Sequence, residues 1–235
     1  LIAGWFLLGP YDYAELGKSA RYNALFSANF YFWQQTGYFD TAANLKPLLH
    51  TWSLAVEEQF YFLLPLLLLL IQRFQQSTRL LIIAAIALAS FMASWWVVRQ
   101  DIDTAYYLLH TRAWELLLGG LLAFVPTRLN QNRVIAGMIG GAGFLTLIAL
   151  FITYHHPPAM QFPGPAALPP TLATAAVIWA GPHTWSSRLL ALRPVVFVGK
   201  ISYSLYLWHL PIFRIFKWYS HFSPLESFFL KFLIT

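Results

Sequence analysis

Long apolar blocks separated by short polar breaks dominate the pattern of this chain. An α-helix needs roughly 20 mostly apolar residues to cross the hydrocarbon of a bilayer, and the longer blocks meet that length. The predicted spanning helices lie at 48–71, 80–98, 112–125, 134–153, 170–182 and 195–216, with another beginning near Leu225. Because the blocks do not alternate with the period of two of a barrel strand, the pattern predicts an all-α, polytopic integral membrane helical bundle.

The first 47 residues have a less regular pattern. Leu1 to Leu8 is predicted to be the tail of one helix, and residues 19–33 form a short amphipathic or re-entrant segment. Residues 34–47 are predicted to be a loop that ends at the Lys46-Pro47 break.

Composition agrees with the hydrophobic pattern and excludes several kinds of site. Of 235 residues, 58% are hydrophobic and 10% are charged, whereas soluble domains carry about 25% charged residues. The chain has no cysteine, which excludes disulfides, thiolate metal sites and a cysteine acyl-enzyme within it. No metal site is predicted.

Arginine pairs in alternate loops give an orientation. These loops carry no acid, and they hold Arg73 and Arg79, then Arg128 and Arg133, then Arg188 and Arg193. Cytoplasmic loops of membrane proteins are enriched in Lys and Arg, so we expect these loops on the cytoplasmic side. The net charge of +6 is then mostly a topology signal, and no nucleic-acid partner is predicted.

The helix predicted at 48–71 begins with polar residues that a lipid-facing helix does not need. At 100° per residue, one stripe at its outer end holds four residues: His50, Ser53, Glu57 and Tyr61. Glu58 lies about 100° from this stripe and Gln59 on the opposite face. An interfacial helix start explains His50 and Ser53, but it explains Glu57, two turns in, less well, because an intramembrane carboxylate must face protein or water.

Two further polar sets lie in later helices. Arg112, Glu115 and Gly119 share a face, either as an intrahelical ion pair beside a helix-packing glycine or as a guanidinium that holds a carboxylate or phosphate. Ser202, Tyr206 and His209 share a face of the helix at 195–216. They form either helix-to-helix hydrogen bonds or a site for proton handling. The orientation brings all three sets toward the outer half of the protein, where we expect them to line an interior cavity.

Three sequence blocks resemble one known family. KPLLHTWSLAVEEQFYFLLPLLL (46–68), RAWELLLGGLLA (112–123) and VGKISYSLYLWHLPI (198–212) resemble, in order and spacing, the acyltransferase-3 family of membrane-bound O-acyltransferases, and NFYFWQQTGYFD (29–40) resembles its external loop. Within the family the chain is most similar to bacterial enzymes that O-acetylate lipopolysaccharide or peptidoglycan.

The resemblance implies a roughly ten-helix core in the bacterial inner membrane, with residues 1–235 as an acyltransferase-3 transmembrane domain truncated at both ends. It implies acetyl-CoA or another acyl-CoA as cytoplasmic donor and a polysaccharide hydroxyl as acceptor. The family's essential first-helix histidine and basic donor motif would precede this chain, and His50 does not match that histidine. Any SGNH hydrolase domain, which many of those enzymes carry, would follow this chain, and the fragment alone is expected to be inactive.

We expect the polar sets to serve this reaction, which needs a base, an oxyanion donor and exclusion of water. Glu57 and His209 are the supporting catalytic candidates. The substrate-binding candidates are His50, Ser53, Glu58, Tyr61, Arg112, Glu115, Ser202 and Tyr206. The residues leave open a transporter or flippase, or a binding protein of the same fold without turnover, since intramembrane Glu, Arg and His also mark substrate paths.

Overall fold

The structure of the protein is a computed structural model. It describes residues 1–36, 46–124, 132–153, 162–182 and 184–219, with the side chains of 215–219 left aside. Within these ranges it contains helices and no strand, which confirms the all-α prediction. The chain forms two compact units, one of residues 1–59 and 197–235 and the other of residues 60–196.

Eleven α-helices occupy the described ranges. They are α1 (Ile2–Leu7), α2 (Pro10–Ala24), α3 (Ala28–Gln34), α4 (Thr51–Ile71), α5 (Gln76–Val97), α6 (Ile102–Tyr107), α7 (Leu109–Leu122), α8 (Arg133–Thr153), α9 (Leu168–Ala180), α10 (Trp185–Leu190) and α11 (Arg193–Tyr219). A 3₁₀ turn, Pro165–Ala167, leads into α9.

Four of the described helices are long and apolar enough to cross a membrane. They are α4, α5, α8 and the Arg193–Arg214 part of α11. This confirms the prediction of a multi-pass membrane protein. The predicted helices at 112–125 and 170–182 correspond to α7 and α9, which are shorter than these four spans. The helix predicted near Leu225 lies outside the described residues.

The prediction for residues 19–33 was wrong in extent. Instead of one segment, two helices stand there, and α2 begins nine residues earlier than expected, at Pro10. Proline suits the first helical position, because its missing N–H would have no partner there. The break between α2 and α3 contains Phe26 at a φ of 52°, a left-handed conformation that no glycine or asparagine signals in the sequence.

Two short helices were not predicted because six-residue helices carry little hydrophobic pattern. Each begins at a side-chain cap. Asp101 accepts a hydrogen bond from the Thr104 amide before α6, and Thr184 accepts one from the Ser187 amide before α10. Such caps satisfy amides that have no partner within the helix.

In the unit of residues 1–59 and 197–235, polar bonds join α2, α3 and the start of α4. The Glu15 carboxylate of α2 accepts hydrogen bonds from Tyr31 (2.7 Å) and from Lys18 (2.6 Å). Gln59 of α4 donates its side-chain amide to the Phe26 carbonyl and to the buried Asn29 side chain, each at 2.8 Å. Gln59, which lies on the opposite face of α4 from His50, therefore connects α4 to the α2–α3 turn.

In the unit of residues 60–196, small residues let helices approach closely. On α8, a Cβ added to Gly143 would lie 2.7 Å from the Ala173 carbonyl oxygen of α9. Close backbone approach at small residues is the usual way in which membrane helices pack. A core of Phe60, Ile71, Ile83 and Leu117 lies in the same unit.

Candidate functional site

A short chain of hydrogen bonds connects the start of α4 with α11. The Tyr206 hydroxyl donates to the backbone carbonyl of His50 at 2.5 Å. The Ser53 hydroxyl lies 2.5 Å from the Tyr206 oxygen. Tyr206 has one hydroxyl proton and gives it to His50, so Ser53 is the donor in the second bond. Ser53 also lies 3.3 Å from the His50 carbonyl oxygen, a longer contact than the one to Tyr206. The Tyr206 phenol thus bonds directly to Ser53, which lies 153 positions earlier in the sequence.

Three rings meet beside these bonds. The His50 ring centroid lies 5.0 Å from that of His209 and 5.2 Å from that of Tyr206, and the Tyr206 and His209 centroids are 5.5 Å apart. We call His50, Ser53, Tyr206 and His209 the histidine–tyrosine cluster. It unites members of the first and third polar sets; that they line a common cavity stays a prediction.

The tautomer of His209 follows from its backbone bond. Its Nδ1 lies 2.6 Å from the Tyr206 carbonyl oxygen. A carbonyl can only accept, so Nδ1 carries the proton. In neutral His209 the lone pair is therefore on Nε2.

His50 is the most buried ring of the cluster. It lies in the turn that precedes α4, and its residue is 8% exposed. Both ring nitrogens are buried, and neither makes a hydrogen bond of full geometry within the described ranges. The Leu207 backbone carbonyl is close enough to favour the protonated ring, but its effect is smaller than that of burial. Burial lowers the pKa of His50 to about 4, and the neighbouring His209 acts in the same direction. The ring is therefore a neutral imidazole at neutral pH.

The second polar set lies on α7, in the unit of residues 60–196. Arg112 and Glu115 form an intrahelical ion pair, with Nη2 to Oε2 at 2.9 Å. The guanidinium carbon of Arg112 also lies 5.8 Å from the centroid of the Tyr106 ring. The two opposite charges lie side by side on one helix, which is the intrahelical ion pair given above as one of the two interpretations of this set.

A cavity of about 310 Å³ lies beside this ion pair, between α7 and α9. Its lining includes Glu115, Gly119, Phe162, Pro170, Thr174 and Ile178. Thr171 and Thr174 also line it, and each donates its hydroxyl to the carbonyl four residues earlier, so the lining is mostly apolar. The volume is in the range of small-molecule sites.

A buried serine that the sequence motifs did not indicate holds the start of α7. Ser90 of α5 donates its hydroxyl to the His110 carbonyl at 2.7 Å and accepts from the Trp114 amide at 3.1 Å. In a regular helix, residues 110 and 114 pair with each other. Ser90 thus bridges an i,i+4 pair that encloses Arg112 and directly precedes Glu115. Only its position within an apolar helix could have marked it.

The remaining predicted residues lie on the same helices but with varied exposure. Glu57 is half-buried, whereas Glu58 is exposed. Tyr61 is exposed as well, and it belongs to the unit of residues 60–196. Ser202 is exposed and donates its hydroxyl to the Gly199 carbonyl of its own helix at 2.8 Å. The roles of all four stay predictions.

The chemistry available in the histidine–tyrosine cluster is proton transfer and hydrogen bonding. Within the described ranges, His, Asp and Glu residues form no group of three that could hold a metal ion. A neutral imidazole that is fixed in place and whose lone pair has no donor can accept a proton from a bound hydroxyl.

The chain matches a known protein family over nearly its whole length. The model of the family described as "Acyltransferase domain" matches residues 5–235. O-acetyltransferase OatA of Staphylococcus aureus (strain NCTC 8325 / PS 47) is 32% identical over 194 residues, which are 77% of this chain and 32% of that protein. Peptidoglycan O-acetyltransferase OatA of Listeria monocytogenes is 29% identical over 217 residues, covering 84% of this chain and 35% of that protein.

The putative O-acetyltransferase SACOL0978 of Staphylococcus aureus (strain COL) is 31% identical over 196 residues, covering 77% of this chain and 32% of that protein. The chain thus spans about a third of the length of the curated relatives it matches. No solved structure matches the chain significantly.

Proposed function

We propose that this chain, which belongs to the family described as "Acyltransferase domain", is part of a membrane O-acyltransferase. The enzyme moves an acyl group, expected to be acetyl, from acyl-CoA to a hydroxyl of a cell-surface or periplasmic polysaccharide. The observation that carries this proposal is the family match over nearly the whole chain, joined to relatives named as O-acetyltransferases. The four apolar spans support a multi-pass enzyme, and we place it in the bacterial inner membrane.

The histidine–tyrosine cluster supports acyl transfer better than passive binding. Ester formation requires removal of a hydroxyl proton, and the cluster holds two imidazoles whose ring centroids are 5.0 Å apart. The Tyr206 hydroxyl is already donated to the His50 carbonyl. In this conformation Tyr206 therefore positions His50 and has no second proton for an oxyanion.

The acids and the arginine have supporting roles in this proposal. Glu57, half-buried on α4, supports the charge that develops on a histidine or contacts the acceptor hydroxyl. His209 lies against the His50 ring and disfavours a lasting positive charge there. Arg112 and Glu115 order the region beside the cavity of the other unit.

The test uses the full-length protein in a strain from which its gene has been deleted. Ester-linked acetate is released from surface polysaccharide with mild base and quantified for wild type, Glu57→Gln and empty vector, at matched membrane levels. Asp103→Asn is the matched control, because it makes the same carboxylate-to-amide change at an exposed position of α6. We expect Glu57→Gln to lower the acetate on the order of 10²-fold and Asp103→Asn to leave it unchanged.

The outcomes separate the competing classes of protein. Restoration of ester by wild type and its loss in Glu57→Gln support both the enzyme and the site. If Glu57→Gln restores as much ester as wild type, the acyltransferase function stands but Glu57 does not belong to its site. If wild type adds no ester, a transporter or a binding protein of the same fold becomes the better explanation.

A further inference from the structure

His50 presents a hydrogen-bonding deficit that the rest of its cluster does not meet. A neutral imidazole has one N–H donor and one lone-pair acceptor, and neither ring nitrogen of His50 makes a hydrogen bond of full geometry among the described residues. The Leu207 backbone carbonyl, which acts weakly on the ring, can engage only the N–H, so the lone pair has no donor. Burial of unpaired polar atoms costs free energy, so such atoms point to a ligand that supplies the missing bonds. The residue is more than nine-tenths buried.

The polar groups around the ring are already committed to other partners. Tyr206 gives its proton to the His50 backbone carbonyl, and Ser53 is bonded to the Tyr206 oxygen. The Nδ1 proton of His209 is held by the Tyr206 carbonyl. These bonds fix the backbone of His50 and the neighbouring ring, and they leave the lone pair of the His50 ring for a group from outside the cluster.

A hydroxyl is the group that fits this deficit. It can accept from the imidazole N–H or donate to the imidazole lone pair, and it carries no charge that burial would penalise. A metal ion fits less well, because the cluster supplies two imidazoles and a structural zinc site needs four ligands.

We propose that His50 is a catalytic residue, which binds the hydroxyl of the acyl acceptor and takes its proton as the ester forms. This inference rests on the proposed function. It gives the acceptor step its own base, separate from the first-helix histidine that the family resemblance implies for the donor.

The step is balanced in atoms and protons. The acceptor oxygen forms a bond to the carbonyl carbon of the acyl thioester while its proton moves to the His50 lone pair. The carbon–sulfur bond breaks, and the thiolate leaves as coenzyme A after it recovers the proton from His50. His209, 5.0 Å from His50 between ring centroids, raises the energy of the imidazolium, so the proton is released readily to the thiolate.

The experiment measures ester formation by the full-length protein in liposomes, with acetyl-CoA and a polysaccharide acceptor. His50→Gln keeps hydrogen-bonding capacity but cannot hold a proton, and His50→Ala opens a space that free imidazole can enter. His110→Ala is the matched control, because that histidine is exposed on α7. Membrane level and thermal unfolding are recorded for every variant.

We expect both His50 variants to lose at least about 100-fold in rate, His50→Ala to recover part of it with added imidazole, and His110→Ala to match wild type. Retained activity in His50→Gln would overturn the proposal. A loss in His50→Ala that imidazole does not reverse would also overturn it, and would leave His50 with a packing role or a bound water. If His50→Ala fails to fold, the rate of His50→Gln decides alone. An inactive wild type would instead refute the proposed function.

Discussion

Two serines one turn apart on α5 provide a direct test of how α7 is held. Ser90 and Ser94 are both buried, but the Ser90 hydroxyl makes two bonds, to the His110 carbonyl and from the Trp114 amide. The Ser94 hydroxyl has no partner among the described residues. The same change, serine to alanine, therefore removes two hydrogen bonds at one position and none at the other.

The expected magnitudes follow from what each change leaves behind. Ser90→Ala removes the partner of one buried and one partly buried backbone group, which costs about 1–3 kcal/mol in the free energy of unfolding. Ser94→Ala removes a buried hydroxyl that has no compensating bond, so we expect it to be neutral or stabilising, by up to about 1 kcal/mol.

Reversible unfolding in mixed detergent micelles, followed by far-ultraviolet circular dichroism, gives both free energies. Wild type and the two single variants are compared at the same detergent ratio. Equal stabilities of Ser90→Ala and Ser94→Ala would refute the reasoning, because residues 110 and 114 would then pair directly and make the serine bridge redundant.

Three further predictions concern packing, the tyrosine anchor and pH. Gly143→Ala should destabilise the protein by about 1–3 kcal/mol, because the new Cβ would lie 2.7 Å from the Ala173 carbonyl oxygen. On the same helix, a Cβ at Gly137 would meet nothing within 4 Å, so Gly137→Ala should be neutral or stabilising. Equal melting temperatures of the two variants would contradict this. Tyr206→Phe removes the bonds to His50 and Ser53 and should cost about 1–3 kcal/mol, whereas Tyr203→Phe, at an exposed position, should cost nothing measurable in the same unfolding assay. Because the pKa of His50 falls from 6.5 to about 4 on burial, the unfolded state binds its proton first, so stability should be full above pH 6.5 and should fall by up to about 3 kcal/mol as the pH drops toward 4; a pH slope unchanged by His50→Gln would refute it.

The long helices could be predicted because membrane spans carry their length in the sequence. Predicted boundaries at 80–98 and 134–153 compare with α5 at Gln76–Val97 and α8 at Arg133–Thr153. The α2–α3 turn could not be predicted, because it depends on Phe26 in a left-handed conformation and on Gln59 reaching it from α4. Those bonds are tertiary and leave no local pattern.

The candidate site shows the same division. The helical period of 3.6 residues is enough to place Tyr206 and His209 on one face of a helix, and His50 and Ser53 on one face of another. Periodicity does not show which group donates to which. That Tyr206 bonds to the backbone of His50, and that Ser90 bridges α7, depends on packing distances between segments far apart in sequence.

The bond from Tyr206 to position 50 has a consequence for mutational tolerance. It ends on a main-chain carbonyl, which every residue possesses, so a substitution at position 50 removes the imidazole without removing the anchor. A substitution library at position 50 should therefore keep the Tyr206 anchor in every member that folds, so that the activity of those members reports on the imidazole. The same library at position 206 should report folding, because only a phenol supplies both the reach and the proton.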